Sequence, residues 1–127
     1  MGRIVAALAI CALMAAGCGS SQQFAAIPQD LDRAHVATDT IDISAYRYVF
    51  VPEKIQVQHG RLVVLRVTAT DGTHGFALPA FGIDERLEKG VPRVIEFYPP
   101  EKGTYDFKCS HLCGIGHFGM NGQIKVE

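Results

Sequence analysis

The stretch Arg61-Leu-Val-Val-Leu-Arg-Val-Thr-Ala69 carries the strongest fold signal in the chain. Apolar residues recur at every second position of this stretch, so they share one face of an extended strand. These residues are Val63, Leu65, Val67 and Ala69. Some of the intervening positions are apolar as well, which predicts a strand that is buried on at least one side.

Short alternating runs lie before and after this strand and are separated by turn residues. Two apolar residues flank a polar one in each run: Ile55 and Val57, Ile95 and Phe97, Tyr105 and Phe107, and Ile124 and Val126. A further run over Tyr46–Phe50 is followed by Pro52, as at an edge or bent strand. We also expect a short helix over Gln29–Val36 and a polar connection over Gly82–Pro92. About seven short strands without a long helical period predict an all-β sandwich with Greek-key connections.

Length and composition indicate a single folded unit. The chain has 127 residues, of which 48% are hydrophobic, and this is enough for one ordinary core. We expect one domain over residues 41–127. The formal net charge is −1 and there is no block of Lys or Arg, so the sequence gives no indication of a nucleic-acid-binding surface.

The N-terminal residues are typical of an export signal. Arg3 precedes an apolar run over Ile4–Ala16, and small residues follow it. Ala15-Ala16-Gly17-Cys18 resembles a bacterial lipobox, which implies a signal peptide over residues 1–17 and lipidation of Cys18. Ordinary cleavage or an uncleaved anchor is the alternative. We therefore expect a protein on the periplasmic or extracytoplasmic face of a bacterial membrane, with residues 18–40 as a tether and polar lead-in.

Sulfur is concentrated in the stretch Cys109-Ser-His-Leu-Cys113-Gly-Ile-Gly-His117-Phe-Gly-Met120. Two thiols and a thioether are soft ligands that select copper, and copper also accepts an imidazole nitrogen. Three glycines disfavour a sustained helix here and favour a loop that folds back on one point. By the alternation of Tyr105 and Phe107, Cys109 continues the inward face of its strand.

A second loop, Asp71-Gly-Thr-His74-Gly-Phe76, follows the central strand and can meet the sulfur-rich loop at one end of the sandwich. The four residues His74, Cys113, His117 and Met120 would suffice for a mononuclear blue-copper site, which leaves Cys109 without a role. A disulfide between the two cysteines is another alternative. We expect Phe76 and Phe118 to pack around the site and exclude water.

Together, the two motifs resemble the binuclear copper (CuA) domain of cytochrome c oxidase subunit II, and the likeness runs from about Ile43 to Val126. That family has a cupredoxin fold. The resemblance implies two copper ions with the following ligands: Cys109 and Cys113 bridging both metals, His74 and His117 each on one metal, Met120 as a weak ligand, and the main-chain carbonyl of His111. It also implies an electron carrier that is not catalytic by itself and is at most a subunit of an oxidase complex.

The sequence differs from the family pattern in three respects. Two transmembrane helices normally precede the copper domain, most oxidases have Glu at the position of His111, and the chain contains no Trp. We therefore expect a free-standing lipoprotein relative, attached to the membrane by its lipid. Its donor would be a c-type cytochrome or small copper protein, and its acceptor an oxidase or reductase. Copper delivery to another protein is the alternative function.

Overall fold

The computed structural model describes residues 23–127, which form nine β-strands and two short 3-10 turns. The strands are β1 Thr38–Tyr46, β2 Val49–Val51, β3 Lys54–Val57, β4 Leu62–Ala69, β5 His74–Leu78, β6 Ile83–Leu87, β7 Arg93–Phe97, β8 Gly103–Lys108 and β9 Asn121–Val126. The 3-10 turns are Pro79–Phe81 and His117–Gly119. The expected signal peptide and the lipidated Cys18 lie outside the described residues.

The strands form two packed sheets, with the order β2-β1-β4-β7 in one and β3-β9-β8-β5-β6 in the other. β1 pairs in parallel with β4, and β3 pairs in parallel with β9. Strands that are distant in sequence are thus neighbours in space, through the crossover connections of a Greek-key sandwich. The prediction of an all-β sandwich is confirmed. Within residues 23–127, no helix is long and apolar enough to cross a membrane.

The core lies between the two sheets. The four alternating residues of β4 are completely buried, as the sequence predicts: Val63, Leu65, Val67 and Ala69. The other sheet contributes Phe76 and Phe107, whose rings stack with centroids 5.0 Å apart, and Phe50 packs against both rings. This aromatic group lies beneath the strand ends that carry the sulfur-rich loop, so it gives that loop a close-packed base.

The alternating run over Tyr46–Phe50 does not form a single strand. Arg47 and Tyr48 form a tight turn between β1 and β2, which pair as a hairpin with Tyr46 opposite Val49. Phe50 is buried while Tyr46 is exposed, so these two side chains do not share a face as a continuous strand would require. Apolar alternation alone does not distinguish a strand from a hairpin with a two-residue turn. β2 does lie at the edge of its sheet, as Pro52 suggests.

Two further sequence expectations are wrong. The expected polar connection contains β6, an edge strand whose alternate residues are exposed and charged and therefore give little apolar signal. Residues 29–36 form turns instead of a helix, because Asp32 accepts hydrogen bonds from the backbone of Ala34 and the ring of His35.

The lead-in before β1 is attached to the sandwich. The backbone N–H of Phe24 donates to the carbonyl of Ala80 at 2.7 Å. The Phe24 ring packs against Phe81 and Tyr105. Strand β1 starts at Thr38, ahead of the boundary expected at residue 41. The first strand therefore begins earlier than the alternating pattern indicates.

Candidate metal centre

His74 is the buried histidine of the candidate site. It is the first residue of β5, where it pairs with Leu87 of β6, and only 1% of its surface is exposed. Its Nε2 atom lies 2.6 Å from Oδ1 of Asp71. Its Nδ1 atom is buried without a hydrogen-bond partner within residues 23–127. An orphaned buried ring nitrogen is costly unless a ligand such as a metal ion occupies it.

Asp71 fixes the orientation of the His74 ring. Its second oxygen accepts a hydrogen bond from the backbone N–H of Arg47 at 2.8 Å. Partial burial would by itself raise the pKa of Asp71, but the hydrogen bonds from His74 and Arg47 and their attraction to the carboxylate lower it overall. The ionised carboxylate thus accepts the Nε2–H of His74 and leaves the Nδ1 lone pair free. This carboxylate–histidine pairing is the usual support of a histidine that binds metal.

Cys109 follows the end of β8 and is 4% exposed, on the inward face that strand alternation predicts. Its backbone N–H donates to the carbonyl of Met120 at 2.9 Å, which joins the two ends of the sulfur-rich loop. Its Sγ lies 3.5 Å from the backbone nitrogen of Gly75 and 3.2 Å from the carbonyl oxygen of His111. A Cβ atom at Gly75 would lie 2.6 Å from the nitrogen of His111, so only glycine permits this approach of β5 to the loop.

Cys113 occupies the middle of the cluster. Its Sγ is 3.7 Å from Sγ of Cys109, 3.7 Å from Nδ1 of His117 and 3.9 Å from Sδ of Met120. One ligand atom each of His74, Cys109 and Cys113 lie within 4.8 Å of one another. The structure therefore brings together the five side chains that the resemblance implies, and the His111 carbonyl lies beside them.

Both cysteines are free thiols. Burial and the neighbouring Cys109 thiol raise the pKa of Cys113 to about 11. The metal-free site therefore holds the Cys113 proton at neutral pH, and a metal ion that takes the thiolate must displace it.

The side chain of His111 is directed away from the cluster. Its Nδ1 lies 3.3 Å from a guanidinium nitrogen of Arg86, while its carbonyl faces Cys109. The adjacent Ser110 donates a hydrogen bond to Asp84 at 2.5 Å. The polar side chains of this part of the loop thus tie it to β6, which leaves only the backbone of His111 at the metal centre.

The expectation that Phe118 shields the site is wrong. Its side chain is 90% exposed, because the 3-10 turn His117–Gly119 directs it to the solvent. Ile115 is 99% exposed and Leu112 is also exposed. The loop therefore presents an apolar surface, whereas Phe76 is completely buried in the core cluster that includes Cys109 and Met120.

Sequence reasoning missed the contribution of Tyr48. This residue lies in the turn between β1 and β2, and its ring lies directly against the loop segment that joins Cys113 to His117. The signal that could have found it is the pair of glycines in that segment, Gly114 and Gly116, because paired glycines often mark a place where another group approaches the backbone closely.

The donor set fits copper. It combines two thiols, two imidazoles, a thioether and a carbonyl within one cluster, and thiolate with thioether sulfur is the combination that copper prefers over harder metals. The orphaned Nδ1 of His74 indicates independently that the buried side of the cluster binds a ligand.

Comparison with known proteins agrees with this fold. Subunit 2 of cytochrome c oxidase from Thermus thermophilus is 28% identical over 88 residues, which are 69% of this chain and 65% of that protein. In a second Thermus thermophilus strain the same match covers 52% of the subunit. The chain thus spans less than two thirds of the length of these curated relatives.

Two solved structures share the sandwich. The periplasmic domain of cytochrome oxidase subunit II from Bradyrhizobium japonicum superposes with a TM-score of 0.64 at 24% identity, covering 69% of this chain and 83% of that domain. Auracyanin A, a blue copper protein from Chloroflexus aurantiacus, superposes with a TM-score of 0.59 at 18% identity, covering 72% of this chain and 100% of that protein. Residues 5–126 also match the family of the cupredoxin-like domain, and the chain belongs to that family.

Proposed function

We propose that this protein is an electron carrier that binds two copper ions in a CuA centre. The observation that carries the proposal is the position of Cys113, which belongs to two overlapping groups of ligands. On one side it forms a close group with His74 and Cys109. On the other side its sulfur approaches His117 and Met120. A shared thiolate between two histidine-bearing groups is the arrangement that a pair of bridged metals requires.

The residues of the chain suit electron transfer better than catalysis. Bound copper would supply a one-electron redox couple. The strand ends hold His74 and Cys109 in a buried position, and the surrounding core limits their movement when the charge of the centre changes. The six donors leave no ligand position for a substrate, in contrast to catalytic metal sites, which keep one open.

The partners in this proposal are redox proteins that dock on the loop surface. Leu112, Ile115 and Phe118 are exposed around His117, which is the ligand on the outer side of the cluster. An apolar surface beside a partly exposed ligand permits close, short-lived contact with a c-type cytochrome or small copper protein as donor. The acceptor would be an oxidase or a reductase, in keeping with the oxidase subunits among the relatives.

The proposal places the protein on the extracytoplasmic face of a bacterial membrane, with a signal peptide over residues 1–17 and a lipid on Cys18. The lipobox-like residues and the periplasmic domain among the structural neighbours support this location. Radiolabelled palmitate incorporation by the full chain, with Cys18→Ser as the control, tests the anchor. Incorporation that is unchanged in Cys18→Ser would contradict it.

A mononuclear blue-copper carrier is the second candidate. It is favoured by one observation: a single thiol, that of Cys113, approaches both His117 and Met120. Auracyanin A, a blue copper protein, shares the sandwich, which also supports this candidate. In this alternative, Cys109 would serve only in packing.

Copper stoichiometry with electron paramagnetic resonance separates the candidates. We expect two copper ions per chain and a hyperfine pattern from one electron shared by two nuclei. A single copper ion with a one-nucleus pattern would favour the blue-copper alternative. Copper that passes readily to a competing acceptor protein would instead indicate delivery, because an electron carrier retains its metal through many redox cycles.

A further inference from the structure

The turn between β1 and β2 contacts both sides of the metal centre. On the buried side, the backbone N–H of Arg47 donates to Asp71, which in turn holds the ring of His74. The next residue, Tyr48, turns its ring towards the outer side, against the loop that carries Cys113 and His117. One two-residue turn therefore supports ligands from two separate loops.

The contact of Tyr48 with the loop runs along the whole ring. A Cβ atom at Gly114 would lie 2.4 Å from Oη of Tyr48 and 3.1 Å from Cε1. A Cβ atom at Gly116 would lie 2.3 Å from both Cγ and Cδ2. The ring thus extends along the backbone from Gly116 to Gly114, at a distance that leaves no room for a side chain at either position.

Within residues 23–127, Cys113 at the start of the loop segment packs against the core, but the residues that follow it make few contacts with the sandwich. The apolar side chain of Ile115 is exposed and does not enter the core, and Leu112, just before the segment, is exposed as well. A backbone hydrogen bond from His117 to the carbonyl of Gly114 closes the segment on itself at 3.2 Å without joining it to the sandwich. Tyr48 itself packs against the buried core, so its ring links the segment to the fold.

We propose that Tyr48 is a positioning residue that holds the segment between Cys113 and His117 and thereby sets the geometry of these two donors. The proposal rests on the copper-binding function proposed above. Tyr48 approaches the loop at the backbone of Gly114 and Gly116, so it acts through Cys113 and His117 and not on a metal directly. His74 and Cys109 are held by strand ends and do not depend on the ring.

The first experiment compares three variants after copper loading. Tyr48→Ala removes the ring, Tyr48→Phe keeps it without the hydroxyl, and Tyr46→Ala is the matched control in the same hairpin. We expect Tyr48→Ala to change the hyperfine splitting and the visible absorption and to weaken copper affinity by roughly 10- to 100-fold, as the loss of a supporting residue usually does. Tyr48→Phe and Tyr46→Ala should both give the wild-type spectrum. A wild-type spectrum in Tyr48→Ala, or equal effects of all three variants, would overturn the proposal.

The second experiment tests the same contact from the side of the loop, by adding a methyl group at Gly116. Gly116 has φ −87° and ψ 5°, which alanine adopts readily, so the Tyr48 ring is the obstacle to a methyl group there. Gly116→Ala should therefore change the copper spectrum in the wild-type background and have a smaller further effect in the Tyr48→Ala background, where only the contact with Cβ of residue 48 at 2.9 Å remains. Additive effects of the two substitutions would mean that the ring and the loop do not act together.

A measurement on the metal-free protein tests the positioning role of Tyr48 independently of the proposed copper binding. In Cys109→Ser protein, Cys113 is the remaining thiol of the site, and its alkylation rate reports how firmly its loop is held. We expect Tyr48→Ala to raise this rate several-fold and Tyr48→Phe to leave it unchanged, with thermal unfolding as the check that each variant is folded. If Tyr48→Ala does not fold, Tyr48→Leu replaces it. An unchanged rate would contradict the positioning role whatever the wild-type protein binds, whereas a wild-type copper count of one would contradict only the binuclear centre.

Discussion

The metal centre has a buried half and an outer half that are built in different ways. His74, Cys109 and Met120 form the buried half, with 1%, 4% and 1% of their surfaces exposed, and they lie at the ends of strands. Cys113 and His117 form the outer half, in a loop that is partly exposed. The sandwich thus fixes three donors as part of its core, and a loop held from outside adds the other two.

The loss of Cys109 should have the largest effect on the centre. In Cys109→Ser the hydroxyl fits the space of the thiol and can donate to the His111 carbonyl, so the sandwich should fold. A hydroxyl does not replace a bridging thiolate for copper, and we expect the signal of the shared electron to be abolished. Paramagnetic resonance and a copper count make the measurement. An unchanged spectrum would remove Cys109 from the site.

The two histidines test the difference between the buried half and the outer half directly. His74→Ala opens space in the core and removes one of the two hydrogen bonds to Asp71, and we expect the free energy of unfolding of the metal-free protein to fall by about 1–3 kcal/mol. His117→Ala removes a side chain in the outer loop and should change metal-free stability by less than about 0.5 kcal/mol. Both variants should lose the binuclear copper signal. Equal stability losses from urea titration would mean that the two halves are not distinct.

Substitution of Asp71 should have a smaller effect on stability, and this effect should depend on pH. Its pKa is lowered in the folded protein, so the stability it provides is present above the ordinary carboxyl value of 3.8 and is lost as pH falls through the folded value. We expect Asp71→Asn to be less stable than the metal-free wild type at pH 6 and to converge with it in acid. Thermal unfolding between pH 2 and 6 checks this, and a constant difference would exclude the carboxylate charge as the cause.

The sequence predicts the buried half better than the outer half, for a physical reason. The inward position of Cys109 follows from strand alternation, because a side-chain period of two is a strict geometric rule. The outward direction of Phe118 depends on a 3-10 turn whose residues carry no periodic signal. The contact of Tyr48 with the loop joins segments far apart in sequence, so it required the folded structure.

The same distinction explains the errors in the fold. β4 is predictable because a central strand must be apolar on its buried face. β6 lies at a sheet edge, where charged residues protect against unwanted pairing. Because these residues are not apolar, the alternating apolar pattern does not indicate the strand. The turn at Arg47 and Tyr48 lacks the Gly or Asn that usually marks a two-residue hairpin, so the run appears continuous.

Substitution of His111 should have the smallest effect on copper binding. It is therefore the most exacting test of the division into a buried half and an outer half. Its imidazole meets Arg86 on the side of the loop away from the cluster, and only its carbonyl faces Cys109. His111→Ala keeps the carbonyl and removes a partly exposed contact, so copper count and spectrum should stay close to those of the wild type. Arg86→Ala, which removes the same contact from the opposite partner, is the matched control. If His111→Ala alone lost copper, the imidazole would be a donor in solution, and the outer half would contain a ligand that turns inward only when the metal binds.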